Sequence, residues 1–156
     1  MKGIKKILLG LLVILVIIQF LQPAHNKSGQ VLPNDISKMV PMPGDVQGIL
    51  KKACYDCHSN HTKYPWYSNV QPLDWFMDYH IKSGKKELNF NEFGGYTSRR
   101  QQNKLRAIER SLKDGTMPLA SYTMIHRNAI LTEAEKLLII NWVQNSKDSL
   151  NKKKLN

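Results

Sequence analysis

The pattern of apolar and polar positions along this chain of 156 residues predicts helices. Asp45 suits the position before a helix, and apolar residues then recur at helical spacing. They are Val46, Ile49, Leu50 and Ala53. No stretch alternates between apolar and polar residues with a period of two, as a half-buried strand would. The pattern therefore predicts an all-α protein.

Three further helices are predicted after this one. The second begins near Pro72 and ends at Gly84, and the third spans residues 98–113 with Gly115 as its stop signal. The last begins at residues 132–135, whose Thr-Glu-Ala-Glu sequence is a capping box. The intervening segments are rich in aromatic residues, Asn, Pro and Gly, so we expect about four helices joined by long loops.

The first 22 residues are predicted to form a hydrophobic helix that anchors the chain. Three lysines precede an apolar run from Ile7 to Leu21, as in an export signal or a short anchor. The run ends without the small residues of a cleavage site, so an uncleaved anchor is favoured over a cleaved signal. Because the lysines would stay inside, the chain would be a single-pass protein of the bacterial inner membrane with the remainder on the periplasmic, outer side.

The rest of the chain divides into three parts. Residues 23–44 contain several prolines and glycines and are predicted to be a linker. Residues 45–146 suit one domain, and residues 147–156 form a basic tail.

The motif that carries chemistry is Cys54-Tyr-Asp-Cys57-His58, which contains both cysteines of the chain. The C-x-x-C-H spacing is typical of c-type haem attachment. Cys54 and Cys57 would form thioether bonds to the haem, and His58 would be the proximal ligand of the iron. A structural zinc site would need four ligands, and no second cysteine pair exists. Disulfide or dithiol chemistry is the remaining alternative.

The sixth position of the iron has two candidate ligands. Met117 follows a helix-ending glycine and precedes Pro118, so it would lie on a loop that can approach the face opposite His58. His126 lies in the same loop and is the alternative. An open sixth position would instead permit binding of peroxide or a gas.

Aromatic residues near the motif are candidates for packing on the haem. They are Trp66, Tyr67 and Trp75, for which an ordinary aromatic core is the competing interpretation. The ring Nδ1–H of His58 is expected to donate to a backbone carbonyl, with one near Pro65 as the candidate.

The formal net charge of +11 bears on the partners of the chain. The basic surplus favours an acidic redox partner or an anionic membrane surface. Nucleic acid is not expected as a partner, because the basic residues are dispersed and no base-stacking motif stands among them.

These residues resemble the bacterial haem-binding domain family. The resemblance rests on residues 54–67, which read CYDCHSNHTKYPWY, and on residues 115–122, which read GTMPLASY. It covers residues 40–145 and implies one covalent haem c on a cytochrome-c-like helical domain, with Cys54 and Cys57 in attachment and His58 as proximal ligand. The Met-Pro segment and the following helix also resemble those of small monohaem class I cytochromes c.

The sequence thus predicts a membrane-tethered single-electron carrier rather than a catalyst. The alternative is a haem peroxidase-like, gas-binding or sensor protein with an open distal site.

Overall fold

The computed structural model describes residues 2–28 and 33–155 of the chain. Within these ranges the protein contains eight α-helices and no strand. The helices are α1 Lys2–Ile18, α2 Ile36–Met39, α3 Gly44–Ala53, α4 Tyr55–His58, α5 Leu73–Glu87, α6 Ser98–Lys113, α7 Ala120–Ile125 and α8 Glu133–Leu155. Short 3-10 helices lie at Trp66–Asn69, Phe90–Gly95 and Arg127–Ala129. The predicted all-α class is confirmed.

The predicted number of about four helices was wrong. The four that the pattern indicated correspond to α3, α5, α6 and α8. It missed α2 and α4, which have four residues each, and α7, which has six. Segments of one or two turns are too short for a 3.6-residue period to show in the sequence.

The predicted membrane-anchoring helix at the N-terminus was also wrong. The apolar run forms α1, which has 17 residues and would be roughly 26 Å long at 1.5 Å per residue. A bilayer core is about 30 Å thick. Across the described residues, no helix combines the length and the apolar character needed to cross a membrane. This finding overturns the predicted single-pass localisation in the bacterial inner membrane.

Part of the range predicted to be a linker, residues 23–44, packs against the domain. Ile36 and Val40 are buried in the core. The backbone of Lys27 pairs with that of His61 in an isolated bridge. Residues 29–32 of the predicted linker lie outside the described residues. At the other end, α8 continues through the first nine residues of the predicted tail.

The core is formed where α3, α6 and α8 meet. Its fully buried side chains include Leu50, Phe93, Leu105, Ile139 and Val143. Burying side chains of this kind stabilises a fold by roughly 1.5–3 kcal/mol each. The core therefore holds α3, which leads directly into the cysteine motif.

Local signals fix the ends of the helices beside the motif. The capping box is present, because the Glu135 amide donates to Thr132 Oγ1 at 3.2 Å and the Thr132 amide donates to Glu135 Oε2 at 2.9 Å. Gly115 has a φ of 66°, a left-handed conformation that favours glycine. This glycine follows the end of α6 and redirects the chain into the segment that carries Met117.

Candidate functional site

The two cysteines and the histidine lie in one tight turn, in which Cys54 joins α3 to α4 and Cys57 and His58 end α4. The amides of Cys57 and His58 both donate to the Cys54 carbonyl, at 3.2 and 3.0 Å. Both thiols are free and half-buried. Because α3 is held in the core, this turn is fixed at one wall of a cleft that all three side chains line.

The imidazole of His58 is oriented by a backbone carbonyl. Its Nδ1 lies 2.9 Å from the Leu88 carbonyl oxygen, so the expected partner is a carbonyl, but of Leu88 rather than of a residue near Pro65. The Phe90 ring meets the imidazole edge-on, with centroids 6.2 Å apart. Burial lowers the pKa of His58, and the hydrogen bond to Leu88 opposes that effect. A neutral ring with Nδ1 so engaged leaves Nε2 for a metal ion.

Two adjoining cavities form the cleft, with volumes of about 220 and 170 Å³. His58, Cys54 and Met117 line both of them. Apolar side chains make up much of the larger cavity, including Leu50, Ala53, Phe90, Ile108, Leu112 and Ile139. An apolar cleft with a buried imidazole, two thiols in one turn and a thioether fits a haem.

The alternatives to haem attachment at this motif are a dithiol redox pair and a structural zinc site. Burial raises the pKa of Cys54 to about 12 and that of Cys57 to about 11. Redox-active and metal-binding cysteines generally have a lowered pKa. Among the described residues, no three or more His, Cys, Asp or Glu side chains are grouped so that they could hold a metal ion. The raised pKa of both thiols is unlike that of a reactive dithiol pair. The described residues also offer too few grouped ligands for a structural zinc site.

Helix α5 packs closely against α4, which contains Cys57 and His58. A Cβ atom placed on Gly84 would lie 2.7 Å from the Cys57 carbonyl oxygen and 3.1 Å from the Cys57 Cβ. Gly84 therefore lets α5 pack directly on α4. The sequence placed this glycine at a helix end, whereas α5 continues to Glu87. A glycine within a helical pattern was the available signal, since it often marks a close backbone approach.

Met117 lies in the cleft with His58. It lines both cavities, and its side chain is partly exposed. The Met117 amide donates to the Ser111 carbonyl at 3.3 Å, which ties the segment back onto α6. The structure thus brings Met117 and the cysteine motif into one cleft.

His126 lies elsewhere, in a neighbouring cavity of about 120 Å³. Its Nε2 is 2.6 Å from the Tyr67 hydroxyl, and its ring stacks on Tyr122 with centroids 4.3 Å apart. His126 is not among the residues that line the two cavities around His58. The structure therefore does not bring His126 together with His58.

The three candidate aromatic residues lie outside the cavities that His58 lines. Trp66 is 81% exposed, and Trp75 donates from Nε1 to the Leu21 carbonyl at 2.8 Å. Tyr67 lines the neighbouring cavity, which it shares with Cys57. Their packing on a haem stays a prediction.

Sequence reasoning missed a contact across the cleft between Asp56 and Tyr122. The Tyr122 hydroxyl donates to Asp56 Oδ2 at 2.6 Å. Asp56 stands between the two cysteines, and Tyr122 follows the Met-Pro segment. Only the position of each residue beside a motif could have indicated this contact.

Comparison with known proteins assigns the family. The model of the haem-binding domain family matches residues 13–145. The cytochrome c peroxidase Ccp of Escherichia coli (strain K12) is 29% identical over 102 residues, which are 63% of this chain and 22% of that protein. The matched region thus spans about a fifth of that relative's length. No solved structure matches the chain. Because the family model covers most of the chain and includes the cleft, this protein belongs to the haem-binding domain family.

Proposed function

We propose that this protein binds one haem covalently in the c-type manner and carries single electrons. The observation that carries the proposal is the turn at residues 54–58, which presents two free thiols and an oriented imidazole to one apolar cleft. Attachment through two thioether bonds uses both cysteines. Bound haem supplies a one-electron couple at its iron.

The chain's own residues would orient the group and exclude water. Cys54 and Cys57 would tether it, and His58 would hold the iron through Nε2 while Leu88 keeps Nδ1 engaged. Phe90 and Leu50 are buried walls of the cleft. A dry apolar wall limits solvent access and so helps set the reduction potential.

Met117 is proposed as the second axial ligand. It is supported by its place in the same cleft as His58, on a segment anchored to α6. His126 is disfavoured because its ring is engaged by Tyr67 and Tyr122. Ligation by Met117 together with His58 would raise the reduction potential of the haem and leave the iron closed to other ligands, as suits an electron carrier.

The partner is proposed to be an acidic redox protein. The formal net charge of +11 would steer an acidic surface toward the chain and increase the association rate at low salt.

The second candidate function is a peroxidase-like or gas-binding protein with an open distal site. It is favoured by the partial similarity to a cytochrome c peroxidase, although the similarity covers only 22% of that protein. The two functions differ in whether the sixth iron position is filled.

Carbon monoxide binding to the reduced protein tests the choice. If Met117 fills the sixth position, the wild-type protein should not bind carbon monoxide readily, and a redox titration should show one reversible one-electron step. Rapid binding by the wild-type protein, together with peroxide turnover, would favour the open-site function.

A further inference from the structure

A buried network of amide side chains lies behind the proximal wall of the cleft. It comprises Asn60, Asn89 and Asn91, which are 8%, 1% and 8% exposed, and Asp35, which is 5% exposed. Polar side chains this deeply buried are costly unless they are fully hydrogen-bonded. None of their side-chain atoms is among the buried polar atoms that lack a partner in the described part of the chain.

The central bond of the network joins Asn89 to Asn60. Asn89 Nδ2 donates to Asn60 Oδ1 at 2.8 Å. The backbone N–H of Asn60 donates to Asn91 Oδ1 at 2.7 Å, and Asn91 Nδ2 donates to Asp35 Oδ2 at 2.7 Å. The backbone N–H of Asn89 donates to the Tyr96 hydroxyl at 3.0 Å. The segment after α5 and the turn after α4 are therefore joined by several mutually supporting bonds.

This network lies next to the hydrogen bond that orients His58. Asn60 is two residues after His58, and Asn89 directly follows Leu88. The 2.9 Å contact from His58 Nδ1 to the Leu88 carbonyl and the 2.8 Å bond from Asn89 to Asn60 thus link the same two segments at adjacent points. The Asn89–Asn60 bond therefore restrains movement of the segment that carries the Leu88 carbonyl.

We infer that Asn60 and Asn89 are positioning residues for His58. Their bond holds the Leu88 carbonyl against Nδ1 of the His58 ring. The inference rests on the proposed role of His58 as the proximal iron ligand. A hydrogen bond from Nδ1–H fixes the orientation of a ligating imidazole and increases its electron donation to the metal. The amide network therefore acts on the iron through the histidine without touching the haem.

The test is the Asn60→Ala variant of the haem-loaded protein. In the reduced protein, the solvent exchange of the His58 Nδ1 proton is measured by NMR, and the midpoint potential is measured by redox titration. We expect proton exchange at least tenfold faster than in the wild type, since the carbonyl is held less firmly. We also expect a higher potential, because weaker donation from the imidazole stabilises the oxidised iron less.

Asn128→Ala is the matched control, because Asn128 is exposed and lies outside the network. It should leave both the exchange rate and the potential unchanged. Asn60→Asp combined with Glu92→Gln retains an oxygen that can accept from Asn89, and it avoids placing two carboxylates side by side, because Asn60 Nδ2 lies 3.4 Å from Glu92 Oε1 in the wild type. This double variant should keep the His58 proton as protected as in the wild type. A general loosening of the structure would not be reversed by this variant.

The inference is overturned if Asn60→Ala carries attached haem with His58 ligated, yet shows wild-type exchange and potential. Should Asn60→Ala fail to assemble, loss of protection in the Asn60→Asp/Glu92→Gln double variant overturns it equally. Failure of the proposed function is distinguishable, because it appears in the wild-type protein as haem that is unattached or not ligated by His58.

Discussion

The hydroxyl of Tyr122 lies 2.6 Å from Asp56 Oδ2 and donates a hydrogen bond to it. Asp56 stands between the two cysteines, and Tyr122 belongs to α7, five residues after Met117. The bond therefore joins the cysteine turn to the segment that carries Met117. Burial, followed by the hydrogen bond to Asp56, raises the pKa of Tyr122, so the hydroxyl remains a donor at any physiological pH.

Tyr122→Phe should weaken the closure of the cleft. Removing a hydrogen bond to a carboxylate should lower the free energy of unfolding by roughly 1.5–3 kcal/mol, measured by denaturant titration. The weak far-red absorbance of the oxidised haem protein, which reports Met–iron ligation, should also decrease. Tyr79→Phe is the control, because Tyr79 is 67% exposed. Equal effects of the two variants would show that the Tyr122–Asp56 bond does not hold the segment.

Met117→Ala should open the sixth position of the iron. We expect loss of the far-red absorbance band and rapid carbon monoxide binding by the reduced protein, because no other thioether lines both cavities of the cleft among the described residues. Met124→Ala is the control, since Met124 is 67% exposed and lines neither cavity. Retention of the band in Met117→Ala would exclude Met117 as the ligand.

Gly84→Ala should disturb the cysteine turn. The added Cβ would lie 2.7 Å from the Cys57 carbonyl oxygen, so the backbones of α4 and α5 would have to separate. We expect destabilisation of about 1–3 kcal/mol, the usual cost of overpacking, and a lower yield of haem-loaded protein.

Gly48→Ala provides the matched control for that substitution. Gly48 also lies within a helix, but nothing stands within 4 Å of the position of its Cβ. This variant should stabilise the protein by up to about 1 kcal/mol, because alanine is the better helix former. If the two alanine variants unfold at the same denaturant concentration, the close approach of α5 to α4 has no energetic importance.

The thiols of haem-free protein should react slowly with iodoacetamide at neutral pH. Burial raises the pKa of Cys57 to about 11 and that of Cys54 to about 12, so alkylation should accelerate only in strong alkali, with Cys57 first. The same thiols should make the free energy of unfolding depend on pH. The unfolded chain loses these protons at about pH 8.5, whereas the folded chain retains them to higher pH. The free energy of unfolding should therefore be at its full value below about pH 8.5 and should decrease as the pH rises toward 11. Mass spectrometry of alkylated peptides provides the measurement. Equal rates in the folded and the urea-unfolded chain would contradict this assignment.

The sequence predicted the parts of the fold that depend on local signals. The apolar spacing after Asp45, the capping box at Thr132 and the stop signal at Gly115 all correspond to features of the structure. Short helices such as α7 have no detectable period. The burial of Ile36 also could not be read locally, since its core partners lie far along the chain.

In the candidate site, too, the sequence predicted the local features and missed the contacts between distant segments. The spacing of Cys54, Cys57 and His58 identified the motif, because all three residues lie within five consecutive positions of the chain. The Leu88 carbonyl and the Gly84 approach bring together segments about 30 residues apart, and neither backbone contact has a residue signature. The apolar run before Gln19 was misread as a membrane anchor because hydropathy alone does not show where a helix ends.

Covalent attachment of the haem is tested most directly by the intact mass of fully unfolded protein from a host that matures c-type cytochromes. We expect the mass of the polypeptide plus one haem, with both thiols consumed, and a Cys54→Ser/Cys57→Ser variant that releases its haem on unfolding. Wild-type protein with the mass of the bare chain and two free thiols would contradict the proposal.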